Sequence, residues 1–276
     1  MLRIFILTLL TLPLFALEAF NGTTALIPFA KIPKEATVSF QGKHLPLLHH
    51  PKKTDSYFIL LPIKYRSDAG TYKLHVTYPG GTKDLALHIK KKDYANEQIQ
   101  VAPSKVAPNP VQQKRTRREY AEAMKIYNTF TSKRYWNKPF IDPMHSVITS
   151  PFGTARLFNG HLKSFHSGTD FRAQTGTPVY ATNDGVVALA KERFYAGNSV
   201  IINHGEGIYS CYYHLSALHV KPGDVIKQGQ QLGLSGATGR VSGPHLHYAL
   251  MLQGVQVDPL QFHERINTLF TTSEDL

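Results

Sequence analysis

The sequence predicts a mainly β protein in two units: a small N-terminal antiparallel β-sandwich and a larger C-terminal all-β domain, joined by a linker that carries a helix. Three observations lead there. Short alternating or wholly apolar runs, bounded by Gly, Pro, Asn and Asp, recur in both halves of the chain. A proline-rich, polar and poorly periodic stretch separates them over residues 91–113. Helical spacing is confined to residues 114–127 and a short segment after Pro259. The length of 276 residues suits two such units, and a hydrophobic content of 42% is enough to build a core in each.

Taken in order, residues 1–19 have the layout of a secretory signal peptide. Arg3 is followed by the apolar run Ile4 to Phe15, and small residues Ala16 and Ala19 offer cleavage points. The run is shorter than the ~20 residues a membrane-spanning helix needs, so no stable membrane insertion is expected after cleavage. No cysteine stands near the cleavage region to take a lipid.

Residues 20–92 read as the N-terminal β domain. Ala36 to Phe40, Thr71 to Tyr78 and Asp84 to Ile89 alternate, while Tyr57 to Ile63 is continuously apolar. Pro79-Gly80-Gly81-Thr82 is a hairpin loop between two of these runs. Asp68-Ala69-Gly70-Thr71-Tyr72 resembles the tyrosine corner of immunoglobulin-like sandwiches, in which a tyrosine hydroxyl bonds upstream backbone. His44, His49, His50, His75 and His88 lack metal-ligand spacing and read as surface or strand residues.

Residues 93–139 form the linker and helix. Tyr120, Met124 and Tyr127 fall at i, i+4 and i+7 and predict the buried stripe of that helix. Its first turn, Lys114-Arg115-Thr116-Arg117-Arg118, puts positive charge where the helix dipole disfavours it, so this end is expected to fray or to seek an anion. Residues 140–262 then carry strand after strand between glycine turns, and residues 263–276 read as an acidic tail.

The formal charge of +12 points to an anionic partner, whether nucleic acid, lipid headgroup or cell-wall polymer. The export signal favours the wall, and no nucleic acid is expected. A single cysteine, Cys211, excludes an internal disulfide, so packing or a metal must supply stability. Cys211 itself lies in a strand-like run and reads as a small buried hydrophobe.

Chemistry concentrates in two segments about eighty residues apart. Phe165-His166-Ser167-Gly168-Thr169-Asp170 places a histidine and a carboxylate at i and i+4, and Gly243-Pro244-His245-Leu246-His247 places two histidines at i and i+2. On extended backbone both spacings put the side chains on one face. Three imidazole or carboxylate donors with an open fourth position are what a catalytic zinc takes. Tyr212-Tyr213-His214-Leu215-Ser216 adds a further histidine at a strand end.

These three segments resemble the signature motifs of the lysostaphin/LytM-type zinc metallopeptidases. Ser150-Pro151-Phe152-Gly153, Gly176-Thr177-Pro178-Val179, Val220 to Val225 and Gly236-Ala237-Thr238-Gly239 match in the same order, so the resemblance spans residues 146–262. It implies one Zn2+ per chain held by His166, Asp170 and His247, with His214 and His245 as the catalytic pair. It further implies a peptidoglycan endopeptidase acting on cross-linked muropeptides, either at a D-alanyl–diaminopimelate bond or at a glycine bridge. A simple export signal without wall-targeting repeats favours the direct cross-link and the periplasm. Rival readings are a non-catalytic wall-binding activator of another hydrolase, and a zinc peptidase for glycine-rich peptides. Upstream, Arg156, Asn159 and His161 occupy the loop in which the family can carry a residue that blocks the zinc. His204 reads as a turn residue, and His219 and His263 as structural.

Overall fold

The computed structural model describes residues 17–99, 109–158 and 162–271. The N-terminal unit is built from β1 (Leu17–Phe20), β2 (Thr24–Ala30), β3 (Thr37–Phe40), β4 (Lys43–Leu45), β5 (Leu48–His49), β6 (Ser56–Pro62), β7 (Gly70–Tyr78) and β8 (Gly81–Lys90). They form two sheets, ordered β1-β8-β7-β3-β4 and β2-β6-β5. Alternation sends Val38, Leu74, Val76, Leu87 and Ile89 from one sheet against Ile27, Phe29, Ile59 and Leu61 from the other. The Tyr72 hydroxyl donates to the Asp68 carbonyl at 3.1 Å, the contact a tyrosine corner makes.

Two sequence boundaries move at this end. Leu17–Phe20, three of whose residues were placed within the leader, is a strand paired in parallel with Leu87 to Lys90, and Ala19 is buried in the sandwich core. Cleavage after Ala19 would remove most of that strand, whereas a leader ending at Ala16 leaves it whole. The rest of the leader lies outside the described residues. The linker is also more ordered than its composition predicts. Its residues Asn96–Ile99 form β9, whose partner is remote in sequence.

The helix α1 (Pro110–Tyr127) begins four residues earlier than its basic cluster suggests. Asn109 caps it, exchanging hydrogen bonds with Gln112 in a capping box, and Pro110 occupies the first turn where no N–H is needed. The buried face is Glu119, Ala123 and Tyr127, and Tyr120 is 69% exposed rather than buried. Glu119 takes its place inside because its carboxylate is fully engaged: it accepts from Arg115 Nε at 2.6 Å and from the Phe194 N–H at 2.8 Å. The basic cluster thus falls one turn inside the helix, and its Arg115 pairs with Glu119 and Glu192.

The C-terminal unit follows with β10 (Ile148–Ser150), β11 (Ala155–Phe158), β12 (Leu162–Phe165), β13 (Thr169–Arg172), β14 (Pro178–Tyr180), β15 (Gly185–Arg193), β16 (Gly197–Gly205) and β17 (Ile208–Leu215). After these come β18 (Ala217–Leu218), β19 (Val225–Ile226), β20 (Gln231–Leu234), β21 (His245–Leu252), β22 (Val255–Val257) and α2 (Pro259–Asn267). The main sheet runs β10-β13-β21-β17-β16-β15-β19, with β22 on β21. One of its faces packs Val200, Tyr212, Leu246 and Tyr248 toward β14, β18 and β20. The opposite face carries Leu189, Tyr209, Cys211, Ala249 and Met251 against Ala123 and Tyr127 of α1. By strand alternation His245 and His247 share that second face with Ala249 and Met251.

The last segment is core rather than tail. Phe262, His263, Ile266 and Leu269 are buried, and only residues 272–276 lie outside the described residues. They join Trp136, Phe140, Leu250 and Leu252 in a cluster that also takes in Leu48, Phe58 and Leu60 from the outer face of the sandwich. The two units thus share one apolar interface. Polar contacts frame it: Gln261 exchanges two hydrogen bonds with the Thr24 backbone, and Lys92 pairs with Asp258. No helix among the described residues is long and apolar enough to cross a membrane.

Candidate metal centre

Sheet register assembles the site. Asp170 on β13 lies opposite His247 on β21, His247 lies opposite Tyr213 on β17, and Ser150 on β10 lies opposite Asp170. Four adjacent strands therefore set these side chains in one row, at the ~5 Å spacing of cross-strand neighbours. His166 enters from the end of β12 and reaches Asp170 Oδ1 with its Nε2 at 2.9 Å. His247 Nδ1 closes the triangle, 2.8 Å from Asp170 Oδ1 and 3.0 Å from His166 Nε2. Among the described residues, His166, Asp170 and His247 are the group of His, Cys, Asp and Glu side chains close enough to hold a metal ion.

The donor chemistry fits a cation there. His166 Nδ1 lies 3.0 Å from the Pro151 carbonyl, which can only accept, so the ring carries its proton on Nδ1. Its Nε2 lone pair then faces a carboxylate oxygen and a second imidazole, a convergence that a divalent ion relieves. Two histidines and one aspartate are a known zinc donor set. Burial raises the Asp170 pKa, but the neighbouring His166 and His247 outweigh it and hold the carboxyl well below the usual carboxylate range. Burial likewise keeps His247 neutral by lowering its pKa.

Close packing leaves room for little else. A Cβ on Gly168 would sit 2.5 Å from the Tyr248 carbonyl oxygen and 2.6 Å from His247 Nε2, so this position between His166 and Asp170 must be glycine. The Tyr213 ring stacks on His247 at 5.4 Å and 5°, with the Arg193 guanidinium 4.8 Å above it. The Tyr213 hydroxyl meets that of Tyr127 at 2.9 Å, which ties α1 to the site. Tyr213, Arg193 and Tyr127 were not identified as site residues from sequence. The Tyr212-Tyr213-His214 segment was in view, but its stacking partner lies on another strand.

His214 and His245 flank the triangle. Their rings are 5.0 Å apart, and His245 Nε2 is 3.7 Å from Asp170 Oδ1. Each has its tautomer set by a backbone carbonyl: His214 Nδ1–H donates to Thr238 at 2.9 Å, and His245 Nδ1–H to Gly243 at 2.9 Å. Both Nε2 atoms are left as acceptors. His214 has φ +64, a left-handed conformation costly for a residue with a Cβ. It sits at a bulge where β17 gains a residue over β16, and its N–H is held by the Ala196 carbonyl at 2.8 Å. Burial, aided by His247 and His245, pushes its pKa down to about 3.

Of the upstream candidates, Arg156 sits behind the aspartate. Its Nη2 is 3.0 Å from Ser150 Oγ and 3.6 Å from Asp170 Oδ2, so it supports the carboxylate rather than covering the triangle. Asn159 and His161 lie outside the described residues. His204 is no turn residue: it is fully buried within β16, bonded to the Asp184 carbonyl and to Ser210 Oγ, each at 2.7 Å. His263 is buried against the Tyr248 hydroxyl, and His219 is exposed.

Residues 164–259, the stretch that holds this triangle, match peptidase family M23. The match is confined to these residues, about a third of the chain. The M23 domain is 50% identical over 96 residues to the peptidoglycan DD-endopeptidase ShyA of Vibrio cholerae, covering 35% of this chain and 22% of the relative. It is 40% identical over 121 residues to the DD-carboxypeptidase/endopeptidase Mpg of Neisseria meningitidis, covering 44% of this chain and 28% of that protein. The chain thus spans less than a third of either relative. Similarity to the crystal structure of a peptidase M23 from Pseudomonas aeruginosa extends beyond the M23 domain. That match covers 88% of this chain and 94% of the other, at a TM-score of 0.71 and 28% identity.

Proposed function

We propose that this chain is an exported zinc-dependent endopeptidase that hydrolyses peptide cross-links of bacterial peptidoglycan at the D-alanyl–diaminopimelate bond, acting in the periplasm. The observation that carries the reading is the triangle of His166 Nε2, Asp170 Oδ1 and His247 Nδ1 inside an M23 domain. Its relatives' names point to the same substrate class, and the leader-like residues 1–16 agree with export. Both members of the candidate catalytic pair are present, which favours hydrolysis over wall binding alone.

In this reading His166, Asp170 and His247 hold the zinc. When bound, the ion supplies Lewis acidity to a water and to the scissile carbonyl. His214 and His245 do the proton work. In the neutral form of each ring Nε2 is the acceptor, because the Nδ1–H groups are committed to Thr238 and Gly243. One accepts the proton of the attacking water, and the resulting Nε2–H can then donate to the developing oxyanion or to the leaving amine. The burial that depresses the His214 pKa keeps it unprotonated at neutral pH and ready for that role.

Purified protein incubated with cross-linked muropeptide dimers tests the proposal. Monomers are expected to appear, to vanish on chelator treatment and to return with added Zn2+. Intact dimers in the zinc-loaded sample would refute it.

A further inference from the structure

Proton transfer and metal binding leave one side of the cleft without a role. The cleft over the triangle, about 240 Å³, is lined by two guanidinium groups, Arg156 and Arg240, together with His166, His214 and His247. The two cations are held differently. Arg156 lies between carboxylates, with Asp170 at 3.6 Å and Glu97 of β9 at 3.4 Å. Arg240 belongs to the loop between β20 and β21, and its guanidinium lies over the Tyr195 ring at 4.1 Å.

Arg240 is built into the same framework as His214. Its N–H donates to the Tyr195 carbonyl at 2.9 Å. Two residues earlier, Thr238 offers its carbonyl to His214 Nδ1–H, accepts from the Asn198 N–H and donates to the Leu215 carbonyl. Between them, Gly239 at φ +82 packs so tightly that a Cβ would lie 2.4 Å from the Gly197 nitrogen. The loop that orients His214 therefore also fixes the approach of Arg240. Burial lowers the Arg240 pKa and Arg156 pushes the same way, so the cleft concentrates positive charge beside the chemistry.

We propose that Arg240 is a specificity-determining residue that binds a substrate carboxylate adjacent to the scissile amide. A planar guanidinium stacked on an aromatic ring presents its N–H fork in a fixed direction, the geometry that carboxylates fit. The inference rests on the peptidoglycan reading and deepens it. In a D-alanyl–diaminopimelate link the scissile nitrogen stands on a carbon that bears a free carboxylate. A glycine bridge has no such group. The cleft thus selects the direct cross-link by charge.

The test uses two muropeptide dimers, one with this carboxylate free and one with it amidated. The full chain is expected to favour the free acid by about ten- to a hundredfold in kcat/KM, mainly through KM, the range a charged hydrogen bond supplies. Arg240→Gln should abolish this preference, and Arg240→Lys should restore part of it. Binding of both dimers to His245→Ala, with and without Arg240→Gln, gives a second readout that needs no hydrolysis. Equal binding of acid and amide by His245→Ala, or a preference that survives Arg240→Gln, overturns the role of Arg240. If neither dimer is cleaved while binding still discriminates through Arg240, the proposed hydrolysis fails and the carboxylate site stands.

Discussion

At the scale of single residues, the two histidines of the His245-Leu246-His247 segment divide by a difference of under one ångström. His247 places Nδ1 within 2.8 Å of Asp170, whereas the nearest approach of His245 is 3.7 Å. Replacing His247 or Asp170 by alanine should empty the site. His245→Ala should keep close to one zinc per chain and lose at least a hundredfold in turnover. Metal analysis alongside dimer hydrolysis checks this, and the opposite pattern of metal loss would reverse the assignment. Four of the residues, His166, Asp170, His245 and His247, stand in local motifs whose spacing of two or four predicts a shared face, whereas His214 and the division of roles came from the family resemblance. What holds them was not legible. The carbonyls of Pro151, Thr238 and Gly243 set three tautomers, and a carbonyl leaves no signature in residue type. Tyr213 and Arg193 were hidden for a related reason, since a stack on His247 depends on strand register.

Among the elements, α1 shows how periodicity alone placed Tyr127 and Met124 against the core but misplaced Tyr120. Apolar spacing selects Tyr120, yet the fold buries Glu119 beside Ala123 and Tyr127. A carboxylate can be buried when donors meet it, and here Arg115, one turn earlier, and the remote Phe194 N–H do so. The helix depends on its start as well. Asn109→Ala removes the side chain that accepts from Gln112 N at 2.9 Å and should lower stability by about 1 kcal/mol. Denaturant unfolding measures that loss, and no change would mean the helix is held by packing alone. The strand β9 was equally out of reach of sequence reading. Asn96 to Ile99 pair with Ala155 to Phe158, and a partner nearly sixty residues away cannot be inferred from polar, proline-rich surroundings.

For the whole molecule, the expectation of two separate units joined by a linker gives way to a shared core. Leu48, Phe58 and Leu60 of the sandwich pack with Trp136, Leu250 and Phe262. Calorimetry should therefore record one cooperative unfolding transition, and two resolved transitions would show that the interface contributes little. Acid should weaken this fold through His204. It is fully buried against the Asp184 carbonyl, Ser210, the Phe140 ring and nearby His263, and burial lowers its pKa from 6.5 to about 4. Between those values the unfolded chain binds a proton that the folded chain refuses. Stability is full above pH 6.5 and declines as the pH falls toward 4, by on the order of 3 kcal/mol. His204→Gln should flatten that decline in urea titrations at pH 7 and pH 4.5, and an unchanged slope would remove His204 from the account.

The pairing of β9 with β11 also bears on how the catalytic part can be isolated. In the intact chain β11 is the central strand of three, flanked by β12 and β9. A chain trimmed to begin at residue 109 would keep the triangle but strip away β9, turning β11 into an open edge with unpaired N–H and C=O groups. Glu97 would go with it, leaving Arg156 with Asp170 and Ser150 alone. Such a fragment acquires a docking strip for a second copy of itself beside its own cleft. The residues before the helix are thus a built-in guard against self-association.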